Sequence, residues 1–339
     1  MHEISNSISL SRRQCLRLAM GMSSAALTFA GHTKPKTLLW RERVMVGLGT
    51  TLSLRAGHAS AERADAGLDA AVNAIRHVEH HMSLFNPDSS LCSLNRDGIL
   101  PHPDPDLVNV LSIAASVSER SHGAFDVTVQ PIWNAWQSAK SMHRLPTPNE
   151  LKIARDKTGW RNLKISSDRI QFLKPNMALT LNGIAQGYAS DLAREALRAQ
   201  GIEHALIDTG EWSTLGHGPE SQPWSIGVEN PRQLNALVAR IVSDGRSIAT
   251  SSDTHYSFST DLRHHHIFDP RTGYSPREMA SVTVLAPTCA LADALTKVMF
   301  MASPKRAVTL AKHWQVDVLV VDKAGRLYAS PGLKFGLDA

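Results

Sequence analysis

The sequence predicts an α+β fold, and three observations support this. Helical and strand patterns intermix from residue 40 to residue 339, with no linker, repeat or low-complexity block between them. Of the 339 residues, 42% are hydrophobic and 20% are charged, which is enough apolar material for a substantial core. No Gly-x-Gly-x-x-Gly follows a strand and no P-loop motif occurs, so a Rossmann or P-loop α/β fold has no support. We expect one α+β domain over 40–339, with mixed sheets flanked by helices, as one body or as two lobes.

The N-terminal half of this domain contains recognisable helix and strand patterns. Residues 44–55 are β-like, whereas residues 61–82 carry apolar side chains at spacings of 3 and 4, which predicts an amphipathic helix. The same spacing predicts a helix over 105–121. Residues 123–131 are typical of a strand that begins at a glycine, and the alternation in 163–173 predicts a hairpin.

The C-terminal half alternates strands with helices. Its predicted strands are 205–208, 224–228, 236–242, 281–286 and 316–321. Its predicted helices are 184–200, 290–302 and 304–314.

Residues 1–30 have the pattern of a twin-arginine export signal. Arg12 and Arg13 precede an apolar stretch of small residues, from Leu18 to Ala30, that is too short to span a bilayer permanently. We therefore expect a periplasmic protein without a permanent membrane anchor. The alternative is the basic amphipathic N-terminus of a cytoplasmic protein.

Charge and cysteine content exclude several classes of partner and site. The formal charge of +5 is spread along the chain without a run of like charges, so nothing supports a nucleic-acid partner. Cys15, Cys92 and Cys289 form no Cys-x-x-Cys pair and no zinc-finger spacing.

The sixteen histidines include two clusters. His77, His80 and His81 fall near the end of the first predicted helix, where a helix face is the simplest interpretation. His264–His266 precede Asp269–Gly273, whose sequence Asp-Pro-Arg-Thr-Gly predicts a tight turn. Three adjacent side chains cannot all point the same way along a strand, so this segment alone cannot gather three metal ligands. A solvated loop with incidental histidines is the alternative to a functional site.

The segment 179–188 enters a predicted helix through small residues. Thr180 or Asn182 could cap that helix, and its first-turn amides would suit a phosphate group. Gly183 and Gly187 lie four residues apart on one helix face. Close helix packing is the alternative explanation of this spacing.

Asp293 lies in the first turn of the predicted helix 290–302, just after a strand. A carboxylate at such a junction suits Mg²⁺, which prefers oxygen ligands. The alternatives are stabilisation of the helix dipole and a surface ion pair with Lys297, which would be worth only a few tenths of a kcal/mol.

Taken in chain order, seven motifs resemble the ApbE family of FAD:protein FMN transferases. They are Leu48–Thr50, Met82–Ser89, Gly123–Pro131, Leu181–Asp191, Ile207–Gly210, His265–Gly273 and Ala292–Leu295. The resemblance implies a single T-fold-related domain. It also implies an enzyme that uses Mg²⁺ to cleave the pyrophosphate of FAD, transfers FMN to a threonine or serine hydroxyl of a target protein and releases AMP.

The leader, together with Asn182–Tyr188, resembles the exported branch of the family, including the NosX type. This implies an acceptor among exported or membrane electron-transfer proteins, such as a flavoprotein of nitrous oxide reductase maturation.

The resemblance also implies a set of residues that contact FAD. They are Leu48, Phe85, Ala124, Phe125, Asp126, Thr180, Gln186 and Ile267. Leu48 and Phe85 stand where family members have methionine and tyrosine, and both retain an apolar surface for the flavin ring. Asp126 would accept a hydrogen bond from the adenosine part. Thr180 and Gln186 replace residues that are charged in many members.

The implied metal ligands are the Gly183 carbonyl and the Asp293 carboxylate, and Thr296 is a candidate that lies one residue before the family's ligating position and points about 100° away on a helix. Lys297 occupies the position of the family's ligating threonine, and a protonated lysine cannot bind Mg²⁺. We expect Lys297 to neutralise phosphate charge instead, as one of three catalytic residues with Asp293 and His266. His266 is the candidate for proton transfer or phosphate contact, with His265 as the alternative.

Two other functions fit the same sequence. One is hydrolysis of FAD to FMN and AMP, with water replacing the acceptor hydroxyl. The other is a non-catalytic flavin carrier or assembly factor, which the replacements at Thr180 and Lys297 favour. A histidine-based metal-binding protein is a third alternative, but no local spacing gathers three ligands.

Overall fold

The computed structural model describes residues 37–337, apart from residue 234. The predicted export signal, with Cys15, lies outside these residues. Across the described part of the chain, no helix is long and apolar enough to cross a membrane.

The elements follow one another as an α+β mixture, as the sequence predicts. The helices are α1 (Ala61–Met82), α2 (Ser90–Asp97), α3 (Pro105–Arg120), α4 (Gln130–Ser141), α5 (Pro148–Asp156), α6 (Ala185–Ala199), α7 (Cys289–Phe300) and α8 (Pro304–Trp314). The strands are β1 (Leu39–Gly47), β2 (Thr50–His58), β3 (Ile99–Pro101), β4 (Leu163–Ile165), β5 (Arg169–Phe172), β6 (His204–Asp208), β7 (Trp212–Leu215), β8 (Ser225–Glu229), β9 (Leu237–Val242), β10 (Ser247–Ser252), β11 (Met279–Ala286), β12 (Asp317–Asp322), β13 (Leu327–Ala329) and β14 (Phe335–Gly336).

An eight-stranded antiparallel sheet forms the centre, in the order β1-β2-β6-β7-β10-β11-β12-β13. Every residue of β11 is buried because both faces of the sheet are covered. Val282 and Val284 join the large core under the helices, while Leu285 joins a second core under the three-stranded sheet β14-β9-β8. The sheet is therefore the middle layer of the molecule.

Helices α1, α6 and α7 cover the first face of the sheet. In α1 the buried residues, from Ala64 and Leu68 to Val78 and Met82, recur at spacings of 3 and 4 and form one apolar stripe. Ser60 caps this helix, because its side chain accepts a hydrogen bond from the amide of Arg63. The predicted bounds of 61–82 agree with the structure.

A smaller apolar cluster lies beside the main core and joins α4 and α5 to the histidine-rich segment. Its buried members include Ile132, Trp136, Leu151 and Phe268. The indole nitrogen of Trp136 donates a hydrogen bond to the carbonyl of Gly273 at 2.9 Å. This cluster fixes the segment that follows the three histidines.

The β-like pattern of residues 44–55 is confirmed, and the structure divides it between two strands. β1 and β2 form a hairpin, because Leu48 and Gly49 have φ of +51° and +79°, as a two-residue type I′ turn requires. The predicted strand over residues 123–131 is wrong. The Asp126 carboxylate accepts a hydrogen bond from the amide of Thr128, which makes a turn, and α4 begins at Gln130.

Several elements have no counterpart in the sequence prediction. They are α2, α4, α5, β3, β7, β10, β13 and β14. Most of these elements are short, so they contain too few residues to show a periodic hydrophobic pattern. The predicted hairpin over 163–173 is present as β4 and β5.

Candidate functional site

The predicted site residues converge on one cleft of about 460 Å³, a volume typical of small-ligand pockets. All but two of them line it: Leu48, Phe85, Ala124, Phe125, Asp126, Thr180, Gly183, Gln186, His266, Ile267 and Lys297. The other two, Asp293 and Thr296, are fully buried in α7 and do not line the cleft. Motifs spread over 250 residues of sequence are thus brought together by the fold.

The apolar lip of the cleft is made by the β1–β2 turn and Phe85. Leu48 has a left-handed backbone, which is unfavourable for a residue with a branched side chain, and its amide donates a hydrogen bond to Glu79 Oε1 at 2.8 Å. Phe85 is 74% exposed, which is unusual for a phenylalanine, and its ring would lie 3.4 Å from a Cβ on Gly49. Such strain and exposure are typical of a surface that receives a ligand.

Gln186 connects this turn to the start of α6. Its Nε2 donates a hydrogen bond to the Leu48 carbonyl at 3.4 Å. Gly210 leaves room for the same side chain, since a Cβ there would lie 2.8 Å from Gln186 Nε2. Gly210 also has a φ of +95°, so glycine is favoured for two reasons.

Asp126 lies in one wall of the cleft and is almost fully buried. Its Oδ1 accepts hydrogen bonds from the amide and hydroxyl of Thr128 at 2.8 and 2.6 Å, and its Oδ2 accepts one from the amide of Trp160 at 2.9 Å. Burial nevertheless raises the pKa of Asp126. Both oxygens have protein partners, so this carboxylate organises the wall as well as facing the cleft.

The start of α6 differs from the prediction. The helix begins without a side-chain cap, so neither Thr180 nor Asn182 has the capping role expected. The Leu181 carbonyl accepts hydrogen bonds from two amides at this helix start, at 3.0 and 2.8 Å, and Asp293 Oδ2 accepts one from the Gly187 amide at 3.3 Å. Because these amides already have partners, a phosphate site on them is not supported.

The two glycines of this helix start have different roles. A Cβ on Gly187 would lie 2.4 Å from the carbonyl oxygen of Cys289, so α6 and α7 meet backbone to backbone and close packing explains this glycine. A Cβ on Gly183 would lie 3.2 Å from the Lys297 side chain and 3.5 Å from the ring of Phe125. Gly183 therefore leaves the floor of the cleft open between them.

The three adjacent histidines are separated by the fold. His265 is fully buried and away from the cleft: its backbone amide and Nε2 pair with Ser275 and Pro276, and burial lowers its pKa to about 4. His264 packs its ring against Trp136. Of these three adjacent histidines, His266 alone lines the cleft. His265, the alternative proton-transfer residue, is therefore not placed to reach a ligand there.

The geometry of His266 fixes which of its nitrogens carries the proton. Nδ1 lies 3.2 Å from the carbonyl oxygen of Tyr256, which can only accept, so Nδ1 is the protonated nitrogen and Nε2 keeps its lone pair. Burial first, and then the neighbouring charges of His265 and His255, lower the pKa of His266 to about 3. The imidazole is therefore neutral at pH 7 and can accept a proton.

A buried ion pair lies behind the cleft floor. Lys297 Nζ donates to Asp293 Oδ1, and the two side chains are 19% and 1% exposed. The alternative of an ordinary surface pair does not hold, because the face of α7 that carries both residues packs inward. Thr296 donates its hydroxyl to the Asp293 carbonyl at 2.6 Å and contacts Ser251 Oγ at 2.7 Å. The hydroxyl proton of Thr296 is thus already used, and the Ser251 contact occupies one of its two lone pairs if Ser251 donates.

Glu211 completes this group, and sequence reasoning missed it. The residue lines the cleft and is 5% exposed, and its Oε2 accepts a hydrogen bond from the Thr250 amide at 2.9 Å. Burial raises its pKa well above the usual range, the Asp293 charge raises it further, and Lys297 opposes both effects. The signal available in the sequence was an acidic residue, Glu211, directly after the glycine turn that follows the predicted strand 205–208.

The arrangement thus combines an apolar lip with a polar floor. Leu48 and Phe85 offer a surface for a planar ring, while His266 and Lys297 offer a proton acceptor and a cation. A ligand with a ring system and an anionic linkage fits this division.

Comparison with known proteins gives relatives along most of the chain. The sequence pattern of the ApbE family matches residues 48–320. A protein named FAD:protein FMN transferase from Vibrio cholerae is 31% identical over 274 residues, which covers 77% of this chain and 81% of the relative. A protein of the same name from Salmonella typhimurium is 28% identical over 270 residues, covering 75% and 77%.

Solved structures give the same result for the fold. The ApbE protein of Thermotoga maritima superimposes with a TM-score of 0.78 at 26% identity, covering 86% of this chain and 97% of that structure. The flavin transferase ApbE of Vibrio cholerae gives a TM-score of 0.75 at 26% identity, covering 87% and 98%. The predicted α+β class is confirmed.

Proposed function

The chain belongs to the ApbE family, and from this premise we propose that it is an FAD:protein FMN transferase. In this reaction a hydroxyl oxygen of the acceptor protein attacks the phosphorus of the FMN half of FAD. The bond from that phosphorus to the bridging oxygen breaks, AMP leaves, and FMN stays on the acceptor as a phosphate ester. The hydroxyl proton must pass to a base.

One observation carries the proposal: six of the seven motifs of the resemblance line a single cleft with the chemistry that FAD requires, and the seventh, Ala292–Leu295, is buried next to it. The exposed ring of Phe85 and the Leu48 side chain provide contact for the isoalloxazine ring. Ala124, Phe125 and Asp126 form the wall for the adenosine part. The diphosphate then falls near Lys297 and His266.

We assign proton transfer to His266. Its Nε2 is unprotonated because Nδ1 is held by the Tyr256 carbonyl, so it can accept the proton of the acceptor hydroxyl. A pKa near 3 makes a weak base, but entry of the anionic diphosphate beside the imidazole raises that pKa. His266 would then become a stronger base only when FAD is bound.

Mg²⁺ is the proposed metal, and the donors behind the cleft floor fit it. Asp293 and Glu211 are buried carboxylates, and the Gly183 carbonyl adds the third oxygen of a type that Mg²⁺ prefers. Burial is the main cause of the raised pKa of Glu211 and the Asp293 charge is the second, so a cation bound beside them would favour the ionised carboxylate. When bound, the ion supplies charge neutralisation for the diphosphate. Lys297 supplies further positive charge, in place of the family's ligating threonine.

Hydrolysis is the rival reaction, and acceptor labelling separates it from transfer. Purified protein is incubated with FAD, Mg²⁺ and an acceptor domain that carries a candidate threonine, and the acceptor is weighed by mass spectrometry. Transfer predicts a mass gain of one FMN less one water, with an equal amount of AMP. The control acceptor has that threonine replaced by alanine. Free FMN and AMP with an unlabelled acceptor would indicate hydrolysis, and tight FAD binding with no AMP would indicate a carrier.

The location and acceptor of the reaction are part of the same proposal. The twin-arginine pattern of residues 1–30 supports a periplasmic enzyme. Its acceptor would be an exported or membrane electron-transfer flavoprotein, for which a protein of nitrous oxide reductase maturation is a candidate. Fractionation of cells that express the full chain tests the location directly.

A further inference from the structure

The end of α1 and the start of α3 bring two histidines and an aspartate together outside the cleft. His77 and His81 lie one helical turn apart, and Asp104 is the N-cap of α3. One ligand atom from each of the three lies within 4.8 Å of the other two. The side chains are 40%, 19% and 16% exposed, so the group is partly sheltered and still reachable from solvent.

The distances within this cluster match those between ligands of one metal ion. His77 Nε2 lies 3.3 Å from Asp104 Oδ1 and 3.3 Å from Asp106 Oδ2, and His81 Nε2 lies 3.5 Å from Asp104 Oδ2. Charge-assisted hydrogen bonds are shorter, about 2.7–2.9 Å. Two atoms about 2.0–2.1 Å from a tetrahedral ion are separated by about 3.4 Å. Each histidine nitrogen therefore lies at about this separation from one oxygen of Asp104, and the His77 contact is also within hydrogen-bond range.

Further contacts orient the side chains of the cluster. His81 Nδ1 lies 2.8 Å from Ser90 Oγ, which leaves His81 Nε2 to face Asp104. Asp106 Oδ1 accepts a hydrogen bond from the hydroxyl of Tyr188 at 2.6 Å, so Asp106 Oδ2 is left to face His77. Such outer partners are typical of metal sites, because they fix the ring tautomer and the direction of each ligand.

We propose that His77, His81 and Asp104 bind a divalent transition-metal ion of the Zn²⁺ type, with Asp106 beside His77 adding negative charge. Imidazole nitrogen favours such ions over Mg²⁺, and two carboxylates balance their charge. The ion would join α1 to α3 directly before Met82–Phe85, the segment that leads to the lip of the cleft. The inference does not depend on the proposed function.

Calorimetric titration with ZnCl₂ tests this site in the full chain. The protein carries no polyhistidine tag, is stripped with a chelator, and is kept in excess Mg²⁺ so that oxygen-ligand sites are filled. We expect one tight Zn²⁺ per chain. His81→Ala should weaken it at least tenfold, and His77→Ala should do the same. His313→Ala, at an exposed position of α8, is the control and should retain the wild-type affinity.

Two further measurements keep the test independent of folding. Thermal unfolding in chelator should be similar for wild type and His81→Ala, whereas added Zn²⁺ should raise the Tm of the wild type only. Co²⁺ should give the intense visible absorption of a tetrahedral complex, and His81→Ala should abolish it. The proposal is overturned by a wild type that binds no Zn²⁺ tightly, or by equal binding in the wild type and both ligand variants.

Discussion

Replacing Lys297 with alanine removes the cation from a buried carboxylate and from the proposed phosphate site. Asp293 is 1% exposed, so water cannot replace the ammonium, and its remaining hydrogen bond from the Gly187 amide is 3.3 Å long. Breaking a buried ion pair by removing one partner costs about 3–5 kcal/mol. We expect a loss of stability near the lower figure, because Lys297 itself is partly exposed.

The same change should affect catalysis separately from stability. Removing one preorganised group that stabilises transition-state charge costs about 10²–10³ in kcat. FMN transfer by Lys297→Ala should fall by that factor at saturating Mg²⁺, measured below the Tm of the variant. Lys297→Thr, which restores the family's residue, should lower the Mg²⁺ concentration needed for half-maximal activity. Lys312→Ala, on the exposed side of α8, is the control.

The role of Lys297 would be refuted by one result. If Lys297→Ala transfers FMN at the wild-type rate with the same Mg²⁺ dependence, the lysine supplies no charge that the reaction uses. If Lys297→Ala lowers the stability but not the transfer rate, Lys297 has only a structural role.

Three other predictions concern the surrounding fold. His265 is buried and has a pKa of about 4, against about 6.5 in the unfolded chain, so the unfolded state binds a proton first as the pH falls. Lowering the pH from 7 to 5 should therefore reduce the free energy of unfolding by about 2 kcal/mol through this residue. Denaturant titrations should show that the free energy of unfolding depends less on pH in His265→Gln than in the wild type. Leu48→Asn should raise the free energy of unfolding by up to about 1 kcal/mol, because asparagine tolerates the left-handed backbone. The same change should weaken FAD binding, measured by fluorescence titration, because it removes the apolar contact with the flavin ring. Gly187→Ala should lower stability by about 1–3 kcal/mol or more, measured by thermal unfolding, because its methyl group meets the Cys289 carbonyl; an unchanged Tm would contradict the close packing of α6 and α7.

The sequence could predict those elements whose pattern is local and long. Helix α1 repeats its apolar stripe over six turns, so its bounds follow from periodicity alone. The β1–β2 hairpin was not predictable, because its turn is Leu48-Gly49 and lacks the usual Asn-Gly signal. The apolar and β-branched residues after Gly123 favour a strand, but the local hydrogen bond of Asp126 with Thr128 makes a turn there, and the tertiary contact of Asp126 with Trp160 holds it in place.

The candidate site was likewise predictable only where its residues form contiguous motifs. Chain order and resemblance identify most cleft residues, because each motif is contiguous. The distances between motifs depend on the fold, so neither the burial of the Asp293–Lys297 pair nor its neighbour Glu211 was predicted. The histidine cluster on α1 has its third ligand, Asp104, on another helix, and no local spacing could indicate that.

The most direct test of the central claim is labelling of an acceptor by wild-type protein and by His266→Ala. The account predicts that wild type adds one FMN to a threonine or serine of the acceptor and releases one AMP. It also predicts that His266→Ala binds FAD comparably while the transfer rate falls about 10²–10⁴-fold, the usual contribution of a general base. A His266→Ala variant that labels the acceptor at the wild-type rate would contradict the proposed mechanism. An acceptor that stays unlabelled while FAD is hydrolysed would contradict the proposed function.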